Sequence, residues 1–123
     1  MIYLASPYSD NIEDNYAILQ EVMWQHFQTN PTVIWYSPIL HWHHTAERFS
    51  GPTNWEAYDH HNHHMLKIST QLLVLAIDGW VESKGVRKEI EWAKEMRIPY
   101  NFVDEYGRLT TPDDLPEDAL LWL

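Results

Sequence analysis

One segment gathers most of the groups that could do chemistry: Asp78-Gly79-Trp80-Val81-Glu82-Ser83-Lys84-Gly85-Val86-Arg87-Lys88-Glu89. Ser83 is placed to cap a following helix, and Gly85 lets a ligand or a neighbouring backbone come close. The free N–H groups of such a helix start can hold a phosphate or sugar oxygen. Glu89 follows Val86 by three residues and precedes Ala93 by four, so it shares their face. Two readings follow. Either Glu89 sits at the edge of that face and is solvated, or it is an inward carboxylate with a chemical task. Lys84, Arg87 and Lys88 resemble a phosphate patch, but their helical spacing keeps them from all facing one ligand.

Histidines form a second concentration. His41, His43 and His44 cluster in one stretch, and His60, His61, His63 and His64 in another. His60 and His64 are four apart, as ligands on one helix face would be. A metal-dependent hydrolase is therefore one candidate, although the chain has no HExxH pattern and no cysteine. The other reading is a histidine-rich surface. Trp55 and Trp80 flank the same region and either stack on a flat ligand or fill space beneath the loops.

These residues need elements to position them. Residues 1–5 read as a strand that opens at Ser6-Pro7. Residues 11–28 carry apolar side chains at helical spacing. Residues 32–36 (TVIWY) read as a second strand, stopped by Ser37-Pro38. Residues 41–54 look irregular and polar. Thr53 or Asn54 would cap a helix over 55–69. The run 71–77 (QLLVLAI) suits a central strand buried on both faces. A loop over 78–84, a helix over 85–96 and a strand over 99–103 follow. The last 20 residues read as a turn and a short apolar end.

This alternation predicts a single α/β domain, flavodoxin- or Rossmann-like, with a parallel sheet of four to five strands and helices on both faces. Residues from about 104 form a C-terminal extension. Ligands of such sheets sit at the carboxyl ends of the strands. The loops leaving those ends hold Ser6, Pro7 and Tyr8, then His41 and His43, then Asp78, Gly79 and Trp80.

Composition limits the functions open to the chain. Eighteen acidic against eight basic residues give a formal charge of −10, which repels a nucleic-acid polymer. A small anion held by backbone amides stays open. The absence of cysteine excludes disulfides and thiolate nucleophiles. No apolar run is long enough for a membrane span. The opening MIYLASPYSD has no basic leader, so a cytoplasmic location is expected.

Four motifs occur in a telling order: Ile2-Tyr3-Leu4-Ala5-Ser6-Pro7-Tyr8-Ser9; Ser37-Pro38-Ile39 with His41 and His43; Asp78-Gly79-Trp80; and Ser83-x-Gly85-Val86-x-x-Glu89-Ile90. Together, over about residues 1–103, they resemble the nucleoside 2-deoxyribosyltransferase-like superfamily, and within it the DUF1937 branch. The resemblance implies that Glu89 attacks the anomeric carbon of a nucleoside, forming a glycosyl-enzyme that water or a second base then resolves. It gives Tyr3 the task of orienting Glu89, where residue type alone suggests a core tyrosine. His41 and His43 become pocket residues. Asn62 falls where relatives carry an aspartate that helps the base leave, and asparagine cannot act as an acid. Asp59 or a flanking histidine could substitute, or the activity could be weakened.

The expected activity is cleavage or transfer of the N-glycosidic bond of a nucleoside or nucleoside 5′-monophosphate. The expected catalytic residues are Glu89, Tyr3 and Asn62. Ser6, Pro7, Tyr8, His41, His43, Trp55, Asp59, Asp78, Gly79, Trp80, Ser83 and Gly85 are expected to bind substrate. No cofactor or metal is implied. The partners are a small-molecule nucleoside or nucleotide and further copies of the chain, as a homodimer or higher homo-oligomer; the apolar end 120–123 would contribute to that interface. The alternatives are a nucleotide-sensing module without turnover and the histidine-based hydrolase.

Overall fold

In a computed structural model of the chain, the residues described are 1–8, 12–52 and 55–113, without the Trp55 side chain. The expected caps Thr53 and Asn54, the stacking role of Trp55, and the apolar end 119–123 therefore lie outside the described residues.

Five strands form one sheet in the order β2-β1-β3-β4-β5. β1 (Ile2–Ala5), β2 (Trp35–Tyr36), β3 (Gln71–Leu75) and β4 (Tyr100–Val103) run parallel, and β5 (Leu109–Thr110) is antiparallel to β4. The helices are α1 (Ile12–Thr29), α2 (Pro38–Arg48), α3 (Asp59–Lys67) and α4 (Lys84–Glu95), with a 3₁₀ turn over Trp55–Tyr58 leading into α3. This is the mixed α/β, Rossmann-like domain that the alternation of elements predicts. Among the described residues no helix is long and apolar enough to cross a membrane.

Strand parity divides the core into two layers. Tyr3, Ala5, Leu72 and Val74 face one way and pack with Leu66 of α3 and Val86, Ile90 and Ala93 of α4. Leu4, Leu73 and Leu75 face the other way and pack with Leu19 and Val22 of α1. Both faces being covered explains why β3 reads as an unbroken apolar run. Parity also assigns Tyr3 to the α4 side, the side on which Glu89 is buried.

The structure corrects the sequence reading in three places. The stretch after Ser37-Pro38 is not irregular: it is α2. Ser37 is the N-cap, its Oγ accepting from the Leu40 amide at 3.2 Å, and Pro38 occupies the first turn. The dipeptide that stops β2 therefore also starts α2. The second strand is shorter than 32–36, because the Asn30 side chain accepts from both the amide and the hydroxyl of Thr32 and holds that stretch in a turn. Finally, β5 extends the sheet where only a turn was expected. Asp104 Oδ1 accepts from the amides of Tyr106 and Arg108, both at 2.9 Å, and Gly107 turns the chain at φ +77°.

Candidate active site

The carboxyl ends of β1, β2 and β3 open onto one end of the sheet. A cavity of about 870 Å³ lies there, bounded by the Ser6–Tyr8 loop, α2, the 3₁₀ turn, α3 and the start of α4. Of the residues singled out from sequence, Ser6, Tyr8, His43, Asn62, Ser83 and Gly85 line it. Ser83 caps α4 as expected, its Oγ accepting from the Val86 amide at 3.2 Å. The Lys84 and Gly85 amides of that first turn precede any intrahelical acceptor, and both residues line the cavity.

Glu89 lies one turn deeper. It is 2% exposed, a buried carboxyl between the apolar side chains of α4 and the sheet. Burial pushes its pKa up to about 8, and nearby Asp59 adds to the rise, while contact with the Tyr3 hydroxyl opposes it. Tyr3 answers in kind: burial raises its pKa, and so does the neighbouring Glu89 carboxyl. Their atoms interact, yet among the described residues neither the Tyr3 hydroxyl nor Glu89 Oε2 reaches a partner at hydrogen-bonding geometry. Unsatisfied polar atoms in a sealed region are rare and costly, so a group of them marks a strained or functional place.

Here the group is large. Ser6 Oγ, Tyr36 Oη, Trp42 Nε1, Asp59 Oδ1, His61 Nε2 and Asn62 Oδ1 are likewise buried and without a hydrogen-bond partner among the described residues. Tyr36 is the Cα partner of Tyr3 across the β1–β2 ladder, and their ring centroids lie 5.6 Å apart. Burial, then the charge of Glu89, pushes the Tyr36 pKa up to about 12. Asp59 is raised by burial first and by Glu56 second. Of this group, Ser6, Trp42 and Asn62 line the cavity. Glu89, Tyr3, Tyr36, Asp59 and His61 belong to the group but are not among the lining residues.

The rest of the wall is aromatic and acidic. Trp42 packs against Tyr58 at 5.4 Å and edge-on to His61 at 5.1 Å. The Tyr8 hydroxyl hydrogen-bonds His43 Nδ1. His43 Nε2 lies 3.4 Å from Glu47 Oε2, which also lines the cavity, as do Glu56 and Glu82.

The remaining sequence candidates sit elsewhere. His41 is exposed and stacks on His61 at 5.2 Å. Pro7 is buried beneath the turn at Gly79, where φ is +95° and a Cβ would fall 3.8 Å from the Pro7 Cβ. Asp78 is exposed. Trp80 is a core side chain against Phe102, with 5.0 Å between ring centroids, so of its two readings the structure places it in the packed one. Among the described residues no three His, Asp or Glu side chains converge as a metal would require. His60 and His64 are exposed on α3, and His63 turns against Trp92.

Sequence reasoning missed Tyr36 and Trp42. Tyr36 looked like an ordinary strand aromatic, and only the pairing of β2 with β1 places it beside Tyr3. Trp42 stood in a stretch read as irregular.

Comparison with known proteins adds one match. The family described as "Domain of unknown function (DUF1937)" matches residues 1–105. No curated protein matches the chain.

Proposed function

From the premise that the chain belongs to the DUF1937 family, we propose that it cleaves or exchanges the N-glycosidic bond of a nucleoside or nucleoside 5′-monophosphate, with Glu89 as nucleophile. One observation carries the reading: a buried carboxyl with an unsatisfied oxygen stands beside the Tyr3 hydroxyl, one turn below a helix start that lines a cavity. The link to the nucleoside 2-deoxyribosyltransferase-like superfamily belongs to this proposal too, resting on the four motifs. An assembly of two or more copies goes with it.

The chemistry follows from the environment. Glu89 in a dry site is costly to ionise, and an oxocarbenium-like sugar is the charge that would relieve that cost. Tyr3 steadies the ionised form. As the C1′–N bond breaks, its electron pair goes to the base, and a Glu89 oxygen bonds C1′. An acceptor then displaces Glu89. Trp42 and Tyr58 offer the base flat apolar surface. The first turn of α4 and Lys84 are suited to a 5′-phosphate, whereas Glu47, Glu56 and Glu82 favour an uncharged nucleoside. Glu89 is buried and not among the lining residues, so the cavity wall has to move for the sugar to meet it.

The test is release of free base from a panel of nucleosides and their 5′-monophosphates, followed by chromatography. Wild type should release base from at least one, and Glu89→Ala from none. Equal release by both, or none by either, removes the reading. A second reading is favoured by the closed position of Glu89 and by Asn62: a module that binds a nucleotide without turnover. Calorimetry with tight binding and no base release supports that one.

A further inference from the structure

Asn62 lines the cavity, but a carboxamide has no proton to give a departing base. Asp59 or a flanking histidine is the replacement open to the chain; Asp59 is an acid whose charge opposes that of Glu89, and the structure separates the histidines. His60 and His64 are exposed on α3. His63 lies edge-on to Trp92, 4.9 Å between centroids. His43 is engaged by Tyr8 and Glu47. His61 differs from all of these. Its Nε2 is sealed from solvent with no hydrogen-bond partner among the described residues, as are the Tyr36 hydroxyl and Glu89 Oε2. Its ring is edge-on to Trp42 at 5.1 Å, 6.2 Å from the Tyr36 ring, and stacked on His41 at 5.2 Å. Three aromatic rings fix the imidazole, and His41 continues the stack to the surface.

We propose that His61 is the general acid-base of this site, giving a proton to the departing base and taking one from the acceptor. The inference rests on the N-glycosidic reading and supplies the proton donor that the reading lacks. In the first half-reaction the C1′–N electron pair passes to the base, the Glu89 carboxylate forms the C1′–O bond, and the proton on His61 Nε2 moves to the base nitrogen. In the second, water or an acceptor base attacks C1′, the Glu89 bond breaks, and the neutral imidazole takes the acceptor's proton. The site is then as it began.

The groups facing His61 are Tyr36 from β2, His41 from α2, and His60 and His64 on its own helix. Burial, and then these histidines, hold its pKa below the ordinary value. Glu89 is raised. The resting proton thus sits on Glu89, and the working pair forms when it passes to His61, whose ring lies 6.2 Å from that of Tyr36. Rate then needs one proton across the pair, so kcat/KM follows a bell in pH.

The experiment compares wild type, His61→Gln and His60→Gln on two substrates that share the accepted sugar: a nucleoside, and a 4-nitrophenyl glycoside whose leaving group departs as an anion. His61→Gln should lose about 100-fold or more on the nucleoside and little on the glycoside. On the glycoside its kcat/KM should rise with pH to a plateau instead of following a bell. His60→Gln should match wild type. Equal loss on both substrates, or undiminished nucleoside cleavage, overturns the role of His61 alone. A wild type that releases no base overturns the proposed reaction and this inference together. If His61→Gln does not fold, wild type decides with a series of bases. A rate nearly independent of leaving-group pKa supports a proton donor, and a steep dependence overturns it.

Discussion

Tyr3 and Tyr36 are Cα partners across two parallel strands, with ring centroids 5.6 Å apart, and both lie within the electrostatic reach of Glu89. Among the described residues neither hydroxyl has a hydrogen-bond partner, and neither does Glu89 Oε2. A fold that only needed packing would gain by placing phenylalanine and an apolar side chain here. Retaining three unsatisfied polar groups in one sealed place costs stability, and the following expectations test where that cost shows.

Glu89 should make the protein less stable as pH rises. Its ordinary pKa is near 4.5, and burial lifts it to about 8 in the folded chain. Below the lower value the group is protonated in both states and costs nothing. Between the two values the unfolded chain ionises while the folded chain keeps its proton, so stability falls by about 1.4 kcal/mol per pH unit at most. Above the upper value the loss is complete. Glu89→Gln should therefore be more stable than wild type at pH 8, and the gap should close towards pH 4. Thermal melts across that range check this, and parallel stability curves would contradict it.

Tyr3→Phe should raise the Glu89 pKa further, because the Tyr3 contact is what lowers it. The falling limb of base release against pH, set by the proton on Glu89 in the one-proton pair, should move to higher pH. At pH 7 the rate should fall about 10- to 100-fold, the worth of the hydrogen bond that the Tyr3 hydroxyl would donate to Glu89 once the carboxyl ionises. A loss of rate with an unmoved limb would make Tyr3 a packing residue.

The two serine caps should act independently. Ser37→Ala and Ser83→Ala each remove a side-chain acceptor from a helix start, at about 1 kcal/mol apiece. Their effects should add in a double variant, since they cap different helices. Chemical denaturation measures all three. A cost well below half that for Ser83→Ala would mean that its Oγ does not hold the α4 start.

Charge at the cavity should sort nucleoside from nucleotide. Lys84→Ala should raise KM for a 5′-monophosphate several-fold and leave the nucleoside unchanged, and Glu82→Gln should lower it. Both line the cavity beside Ser83. Added salt should shrink both effects, as screening demands. If neither variant separates the two substrates, no phosphate sits at the α4 start.

Much of this was legible from local pattern. The face shared by Val86, Glu89 and Ala93, the Ser83 cap and the doubly buried β3 run each depend on a few neighbouring residues. Ser37-Pro38 was harder, because one dipeptide ends a strand and begins a helix, and reading only the first signal hid α2. Tyr36 depended on strand order, which no local pattern carries. The choice of His61 among its neighbours depended on which α3 face meets β2 and α2, again a property of the assembled sheet. β5 escaped because a two-residue strand has no periodicity, and its turn is fixed by the Asp104 side chain and Gly107.

The most direct measurement is capture of the glycosyl-enzyme. A nucleoside whose sugar carries fluorine at C2′ slows both steps by destabilising the oxocarbenium-like transition state, and a good leaving group restores the first step alone. Peptide mass spectrometry should then find the fluorinated sugar esterified to Glu89 in wild type and to nothing in Glu89→Gln. Base released from such a substrate with no adduct, or an adduct on another residue, would contradict Glu89 as the nucleophile.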